Sequence, residues 1–581
     1  MSDRLPPIQN MVELRKGVDA DLDAWLLHCI TQNNLEYLIN PHSNASPEQL
    51  RFMVCLDEDQ VYIPCSDVLF QDLMAPELTQ GLLRGYLVCW KVLVRLAHQH
   101  IKDPYIRRTI FQFARRQFQG TLHHHILIPS RLMKRLQNIF SSLTGIDDPY
   151  LERKQQYNQR AQAFLDSPVL ESLLYACPAS SLSCARIKDL RWELDLLELQ
   201  RLFMLSSWVD LWHEDTPNIL QAREILAQPC TEFDRLTDIF GPDHPEPLKI
   251  LYLPNASGGI LFDIRIIRCL LRMGHKVILA LKSGFYFQTP TIWDVDRDPV
   301  LAKALAGAHC IADSSLGKNA LLKTLREHQF VIIGDGSQER CNLYRSSVTF
   351  ARAWKEADVI IAKGEPHVRR LIQTGHQFTR TICCFHRDER GFHLHVKEKP
   401  AHVHKHTEAG LRAKAGQIIQ SMREAKVQGR RPMFYSAIIG SIPGQTKTAI
   451  RVVTAFVTHL RANLRGAFII NPAEHFEPGL DGDDLMFMWE QVQRSGLLEV
   501  WRFQTVADVE KSFELLDEPM PAAWIGKDAT FSTGCTKEMR IALDMQREHP
   551  EMQILGPPPE HFFRRQEYGV GLYHDAGIVA R

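Results

Sequence analysis

Apolar residues recur at helical spacing along the first part of the chain and gather into short runs after it. In the segment 187–212, Leu190, Leu194 and Leu197 mark one helix face. Glycine and proline are sparse in this part and strand-like alternation is rare, so residues 1–246 are expected to form a helical N-terminal region. The run Phe240-Gly-Pro-Asp-His-Pro-Glu-Pro247 ends the pattern. Three prolines within six residues cannot lie inside a helix.

A different texture follows. Leu248–Leu253 is a short apolar run that leads into the turn Pro254-Asn-Ala-Ser-Gly-Gly259. Ile260, Ile264, Ile267 and Leu271 then mark a helix face, Gly274 ends it, and Val277–Leu281 is the next strand. A strand–helix–strand crossover implies parallel pairing. Phe330–Ile333 and Val359–Ala362 are expected to add strands to a sheet with helices on both faces, making an α/β domain over 247–398. Residues 399–430 are polar and read as a linker, helical in its second half. A C-terminal Rossmann-like α/β module over 431–581 is expected, with strands at Met433–Ile439, Ala467–Ile470, Glu499–Phe503, Ala522–Ile525 and Met552–Leu555. The fold class is thus α/β, a helical region followed by two parallel-sheet modules.

Composition narrows the function classes. Lys+Arg and Asp+Glu are both 68, and this balance lacks the basic excess of a duplex-binding protein. The most apolar stretch, Leu82–Ala97, carries Arg84, Lys91 and Arg95 and reads as a core helix rather than a membrane span. No nucleic-acid or membrane partner is expected, and the oligomeric state is not legible. The first residues lack the basic and apolar regions of a signal peptide, and the thirteen cysteines include no CxxC pair; both fit a cytoplasmic location.

Candidate chemistry collects at strand ends. Asn255, Asp335 and Lys363 directly follow expected strands, and Asp294 lies in the loop after Val277–Leu281. Ligands of open α/β sheets bind outside the carboxyl ends of the strands, so these four are expected to converge. Oxygens for a cation and an ammonium for a phosphate would suit metal-assisted phosphate chemistry. The competing reading is four ordinary turn residues, since Asn, Asp and Gly favour turns.

In the last module, Gly440-Ser-Ile-Pro-Gly-Gln-Thr-Lys-Thr448 and Gly526-Lys-Asp-Ala-Thr-Phe-Ser-Thr-Gly534 each stand between an expected strand and a helix. Helix N-termini attract anions, so Lys447, Thr448, Lys527, Ser532 and Thr533 are candidate ligand-binding residues. The alternative is two helix N-caps. The glycine spacing is not that of a Walker-type loop, and no Gly-x-Ser-x-Gly elbow occurs. The alternating histidines at 393, 395, 402, 404 and 406 match no zinc-finger spacing.

The ordered motifs Pro254-Asn-Ala-Ser-Gly-Gly259, Trp293-Asp-Val-Asp296, Lys363-Gly-Glu-Pro-His367 with Arg369 and Arg370, and Arg380-Thr-Ile-Cys383 resemble those of the metal-dependent damage-control phosphatases. The branch related to protein-carboxyl methyltransferase is the most similar, and the resemblance is firm over residues 248–384. It implies a parallel sheet under a helical cap and a phosphomonoesterase acting on a small phosphorylated metabolite such as a sugar phosphate. It also implies a divalent ion (Mn, Co, Ni or Mg) held by Asn255 and Asp294. Asp294 would be a catalytic carboxylate, and Lys363, Glu365, His367, Arg369 and Arg380 would contact substrate; apart from the motifs, Asp335 in the turn after a strand could supply a replacement catalytic carboxylate that completes the metal shell or orients water. The departures fall on the same chemistry. Pro254 stands where the family has its first metal-binding Asp, Gly259 where it has Glu, Glu365 and His367 where it has Asp and Asn, and Cys383 where it has Lys. Two other functions therefore stay open, a phosphate-binding descendant without catalysis and a nucleotide-sugar-dependent transferase built from two Rossmann-like domains.

Overall fold

A computed structural model describes residues 8, 10–35, 47–57, 59–174, 187–214, 219–227, 233–241, 247–311, 318–442, 445–475, 477, 480 and 482–563. The chain divides into two compact units, one reaching Pro400 and the other beginning at Ala401.

The first unit opens with helices. α1 (Gln80–His100) starts where the Thr79 side chain accepts from the Leu82 amide. α2 (Pro104–His124) starts at Asp103 with Pro104 in its first position, where a missing N–H costs nothing. With α3 (Pro129–Thr144) they bury Leu82, Tyr86, Leu93, Ile110, Leu136 and Phe140 in one apolar cluster. α4 (Leu151–Leu165) and α5 (Ile187–Ser206) follow and lie over the sheet.

The sheet contains β1 (Lys249–Leu253), β2 (Lys276–Leu281), β3 (His309–Cys310), β4 (Phe330–Gly334), β5 (Val359–Lys363), β6 (Thr381–Asp388) and β7 (Gly391–Lys397). Their order is β3-β4-β2-β1-β5-β6-β7, parallel throughout except for the β6–β7 hairpin. Strand periodicity divides the core. Ile250 and Tyr252 pack with Phe164 of α4, Leu199 of α5 and Ile260 of α6 (Gly259–Arg272). Leu251 and Leu253 face the other way, against Phe350 and Trp354 of α7 (Val348–Glu356). Cores on both faces account for the continuous apolar runs in the sequence. The register sets Leu253 beside Ala362 and Leu281 beside Gly334, so the strand ends lie level.

The second unit contains α8 (Glu408–Val427), β8 (Arg431–Ser436), α9 (Thr446–Asn463), β9 (Ala467–Ile470), α10 (Gly482–Gln493), β10 (Val500–Phe503), α11 (Val506–Leu516), α12 (Thr533–Glu548) and β11 (Gln553–Leu555). Its parallel sheet runs β11-β10-β8-β9. Two sequence expectations need correction. Most of the stretch read as a linker is α8, and its Leu411, Ala415 and Met422 are buried with Phe434 and Trp489. The strand expected at Ala522–Ile525 is a three-residue 3₁₀ turn, Ala522–Trp524. Pro519 and Pro521 remove ladder donors beside it, and Trp524 is pulled into contact with the apolar cluster holding Val509 and Phe513. Among the described residues no helix is long and apolar enough to cross a membrane.

Candidate functional site

The chain runs from β1 to one side of the sheet through β2 and β4, then places β5 on the other side of β1. The crevice at such a reversal is where open α/β sheets bind ligands. Two loops meet there. Gly364, at φ 98°, follows β5 so closely that an added Cβ would come within 2.6 Å of the Asn255 side-chain nitrogen. The Pro254 carbonyl reaches the His367 ring. Asn255, Pro254, Gly364 and His367 therefore line one place.

His367 carries the strongest electrostatic signature of this crevice. Burial first, then the charges of Lys282, Arg370 and Arg340, hold its pKa down to about 3, against the upward pull of the Pro254 carbonyl. Its Nδ1 is buried without a hydrogen-bond partner among the described residues. Lys282, just after β2, donates to Asp335 Oδ2 at 2.5 Å and Ser337 Oγ at 2.9 Å. Arg370 is 6% exposed and donates to the Pro64 carbonyl at 3.2 Å and Ser130 Oγ at 3.0 Å, with no carboxylate partner among the described residues. Burial and the neighbouring Arg340 both lower its pKa. Arg340 is half-buried and also lacks a carboxylate partner among the described residues. Burial raises the Tyr62 pKa well above its ordinary value, and its Oη is buried without a partner among the described residues. Cations without counter-charges beside orphaned polar atoms make a cradle for an anion.

The residues singled out in the sequence are placed unequally. Asn255, His367 and Asp335 border this crevice, Asp335 through Lys282. Asp335 is saturated, because Oδ1 also accepts from the Ser337 amide at 2.8 Å. Lys363 is turned beneath the sheet end. Its ammonium is 2.7 Å from Asp263 Oδ1 and 3.1 Å from the Gly259 carbonyl, over the Trp212 ring. An added Cβ at Gly259 would meet that ammonium at 2.6 Å and the Trp212 ring at 3.1 Å. Burial lowers Lys363 and raises Asp263, drawing the two titrations together. Glu365 and Arg369 pair with each other at 2.5 Å on the surface. Arg380 corrects the expectation that it contacts substrate. It precedes β6, whose Thr381 pairs with Val359, so it stands at the opposite edge of the sheet and donates to the Lys355 and Thr379 carbonyls.

Asp294 is 4% exposed and fully engaged. Lys154 of α4 donates to its two oxygens at 2.7 and 2.6 Å, and the Thr291 amide to Oδ2 at 2.7 Å. Lys154 also meets Asp148 at 2.6 Å. One turn on, Asn158 accepts from the Gly258 amide at 2.5 Å and donates to Asp298 Oδ2 at 2.6 Å. A divalent ion takes several oxygens with free lone pairs. Here Pro254 supplies no side-chain ligand, Asp294 is already bound by an ammonium, and Asn255 packs on Gly364, so the residues do not fit a metal. The other candidate grouping among the described residues is Asp195, Glu198 and Cys269. Its carboxylates are already paired, Arg272 lying 2.8 Å from Asp195 and 2.5 Å from Glu198 and Arg191 3.5 Å from Asp195, and burial lifts the Cys269 thiol to about 12. His393 and His395 stack on His386 with ring centroids 5.1 and 5.4 Å away, while His402, His404 and His406 lie in coil of the second unit.

In the second unit the two turns meet through Ser441 Oγ and Ser532 Oγ, 3.0 Å apart. Ser532 caps α12 by accepting from the Cys535 amide, and Thr533 is the first residue of that helix. α9 has no side-chain cap. Lys447 is exposed, Thr448 is half-buried, and Lys527 stacks its ammonium 3.8 Å over Phe531. Gly444 lies outside the described residues.

Sequence reading missed Lys282, Arg340 and Lys154. Lys282 follows an expected strand and was open to detection by the rule that found Asn255. Lys154 sits on a helix remote in sequence and carried no signal.

A family model of the damage-control phosphatase ARMT1-like domain matches residues 87–388, just over half of the chain. Among solved structures, a DUF89 family protein from Pyrococcus horikoshii is similar at 19% identity and a TM-score of 0.37, covering 54% of this chain and 92% of that one. No curated protein matches.

Proposed function

The chain belongs to the damage-control phosphatase ARMT1-like family, and from that premise we propose that it binds a small phosphorylated metabolite in the crevice between β1 and β5. A phosphatase-like function in general follows from the family, which is typically metal-dependent. The carrying observation is the basic surrounding of His367, whose pKa is held down by burial and by the charges of Lys282, Arg370 and Arg340 and whose Nδ1 is buried without a partner among the described residues.

The chemistry favours a phosphate monoester. A dianion would neutralise the two guanidiniums that lack carboxylate partners, and Arg forks suit phosphate oxygens. A bound anion would also raise the His367 pKa, turning the ring into a second donor. Hydrolysis is a further demand. Asp294 and Asp335 are both committed to lysines, so neither has a free oxygen with which to activate water. The arrangement supports ligand binding over turnover, which is the non-catalytic reading of the sequence. The transferase reading has no specific observation behind it.

The test is calorimetry of the full chain with a panel of sugar phosphates, alongside phosphate release from the same compounds. Saturable binding that is lost in Arg370→Ala supports the reading. Absence of binding across the panel, or binding equal in the variant, overturns it.

A further inference from the structure

We propose that the Lys154 ammonium is the fixed cation of the Asp294 site and stands in for a divalent ion, so that this site takes no metal. The inference does not depend on the phosphate reading, because it concerns which cation Asp294 holds.

Lys154 is 2% exposed. An ammonium buried to that degree is stable only when its charge is matched and its donors are satisfied. Both conditions are met, since Asp148 and Asp294 lie on either side at 2.6 Å. Asp294 is satisfied from its own side by Lys154 and by the Thr291 amide, which fixes the loop that carries it. A metal would have to displace a hydrogen-bonded lysine from a dry site and would find few replacement oxygens. Pro254 supplies no side-chain ligand, and the neighbouring Asp298 is taken by Asn158 and by the Val300 amide at 2.9 Å.

The neighbouring residues keep the lysine in place. Asn158 sits one turn from Lys154 on α4, and its bonds to Gly258 and Asp298 lock that turn of the helix onto the loops. The ammonium is thus held by Asp148 and Asp294 on two segments, while Asn158 fixes the helix turn that carries it. Asp148 and Asp294 against one ammonium leave a net negative charge here. A phosphate would be repelled from this spot and drawn instead toward Lys282, Arg340 and Arg370. The site therefore keeps a carboxylate where the family resemblance has one, but uses it to hold a protein cation.

The experiment is calorimetry and thermal melting of the full chain with manganese chloride and, separately, magnesium chloride, on wild type, Asp294→Asn and Lys154→Met. The expected result is no saturable binding by wild type, or binding that is unchanged in Asp294→Asn and so sits elsewhere. Lys154→Met, which leaves two buried carboxylates without a cation, should melt lower. It should gain saturable manganese binding together with a rise in melting temperature that sodium does not reproduce. Wild-type binding that disappears in Asp294→Asn overturns the proposal. A folded Lys154→Met that takes neither ion overturns it as well. If Lys154→Met does not fold, the comparison of wild type with Asp294→Asn decides alone.

Discussion

The Lys363 ammonium and the Asp263 carboxylate lie 2.7 Å apart with almost no exposure, under the indole of Trp212 and beside the Tyr252 hydroxyl, which donates to the same oxygen at 3.0 Å. The pair joins β5 to α6.

Breaking this pair should be costly. Lys363→Ala strands a buried carboxylate, and the loss expected is about 3–5 kcal/mol. The double variant Lys363→Met with Asp263→Leu should recover most of it, because two packed apolar chains need no counter-charge. Urea unfolding of the three proteins checks the ordering. A double variant as weak as the single one would show that the pair has a role beyond charge balance.

Asn158 supports two buried groups at once. Asn158→Ala leaves the Gly258 amide and Asp298 Oδ2 short of partners, and about 1–3 kcal/mol of stability should go with each. The same unfolding measurement reads it.

Gly364 should resist any side chain. It has φ 98° and ψ 151°, a region nearly reserved for glycine, and Asn255 already fills the space of a Cβ. Gly364→Ala should cost about 1–3 kcal/mol in backbone strain and should also weaken ligand binding by moving Asn255. Arg380→Ala is the contrasting control. It should reduce stability but leave ligand affinity unchanged, since Arg380 lies at the other edge of the sheet.

Glu538 gives the second unit a pH dependence. Burial raises its pKa from 4.5 to about 7, opposed by hydrogen bonds from Ser436, Gln493 and Cys535. The folded protein therefore holds a proton that the unfolded chain releases above 4.5. This contribution is complete below 4.5, falls as pH rises and is gone above about 7. At about 1.4 kcal/mol per pH unit, the total is about 3 kcal/mol. Glu538→Gln should flatten the curve in this window, as followed by Trp501 fluorescence during urea unfolding. An unchanged slope would assign the effect to another group.

His367 should behave in the opposite sense. Its folded pKa of about 3 lies below the ordinary 6.5, so the unfolded chain takes up a proton first and stability falls as pH drops through this range. In nuclear magnetic resonance its ring should not titrate between about pH 5 and 8 without ligand, given that depressed pKa. Added inorganic phosphate should move the titration upward. A ring that titrates near 6.5 without phosphate would place His367 in water rather than in a basic crevice.

The sheet was legible because its chemistry is local. β1, β2, β4 and β5 are apolar runs next to glycine-containing turns, and each appears within about two residues of its expected position. β6 and β7 were not read as strands because Cys383, Cys384, His386, His393 and His395 interrupt the apolar run, although Phe392, Leu394 and Val396 alternate with His393 and His395 at strand period. The site was half legible. Asn255 was singled out because it follows a strand, and His367 only through the motif resemblance. The direction in which a side chain points is set by what packs on it. The placement of Lys363 under Trp212 and of Lys154 against Asp294 depends on helices more than 100 residues away. Arg380 misled because a sequence motif does not say at which end of a strand it falls.

The α4 contacts also bear on local motion. Lys154 and Asn158 fasten this helix to the loops after β1 and β2 by buried bonds that must break together if the helix is to lift away. These bonds restrain the helix against the loops that carry Gly258, Asp294 and Asp298. The Gly258 amide, held by Asn158, becomes a natural reporter of that restraint. Its hydrogen exchange should be as slow as that of the central strands, and it should hasten in Asn158→Ala well before the sheet itself loosens.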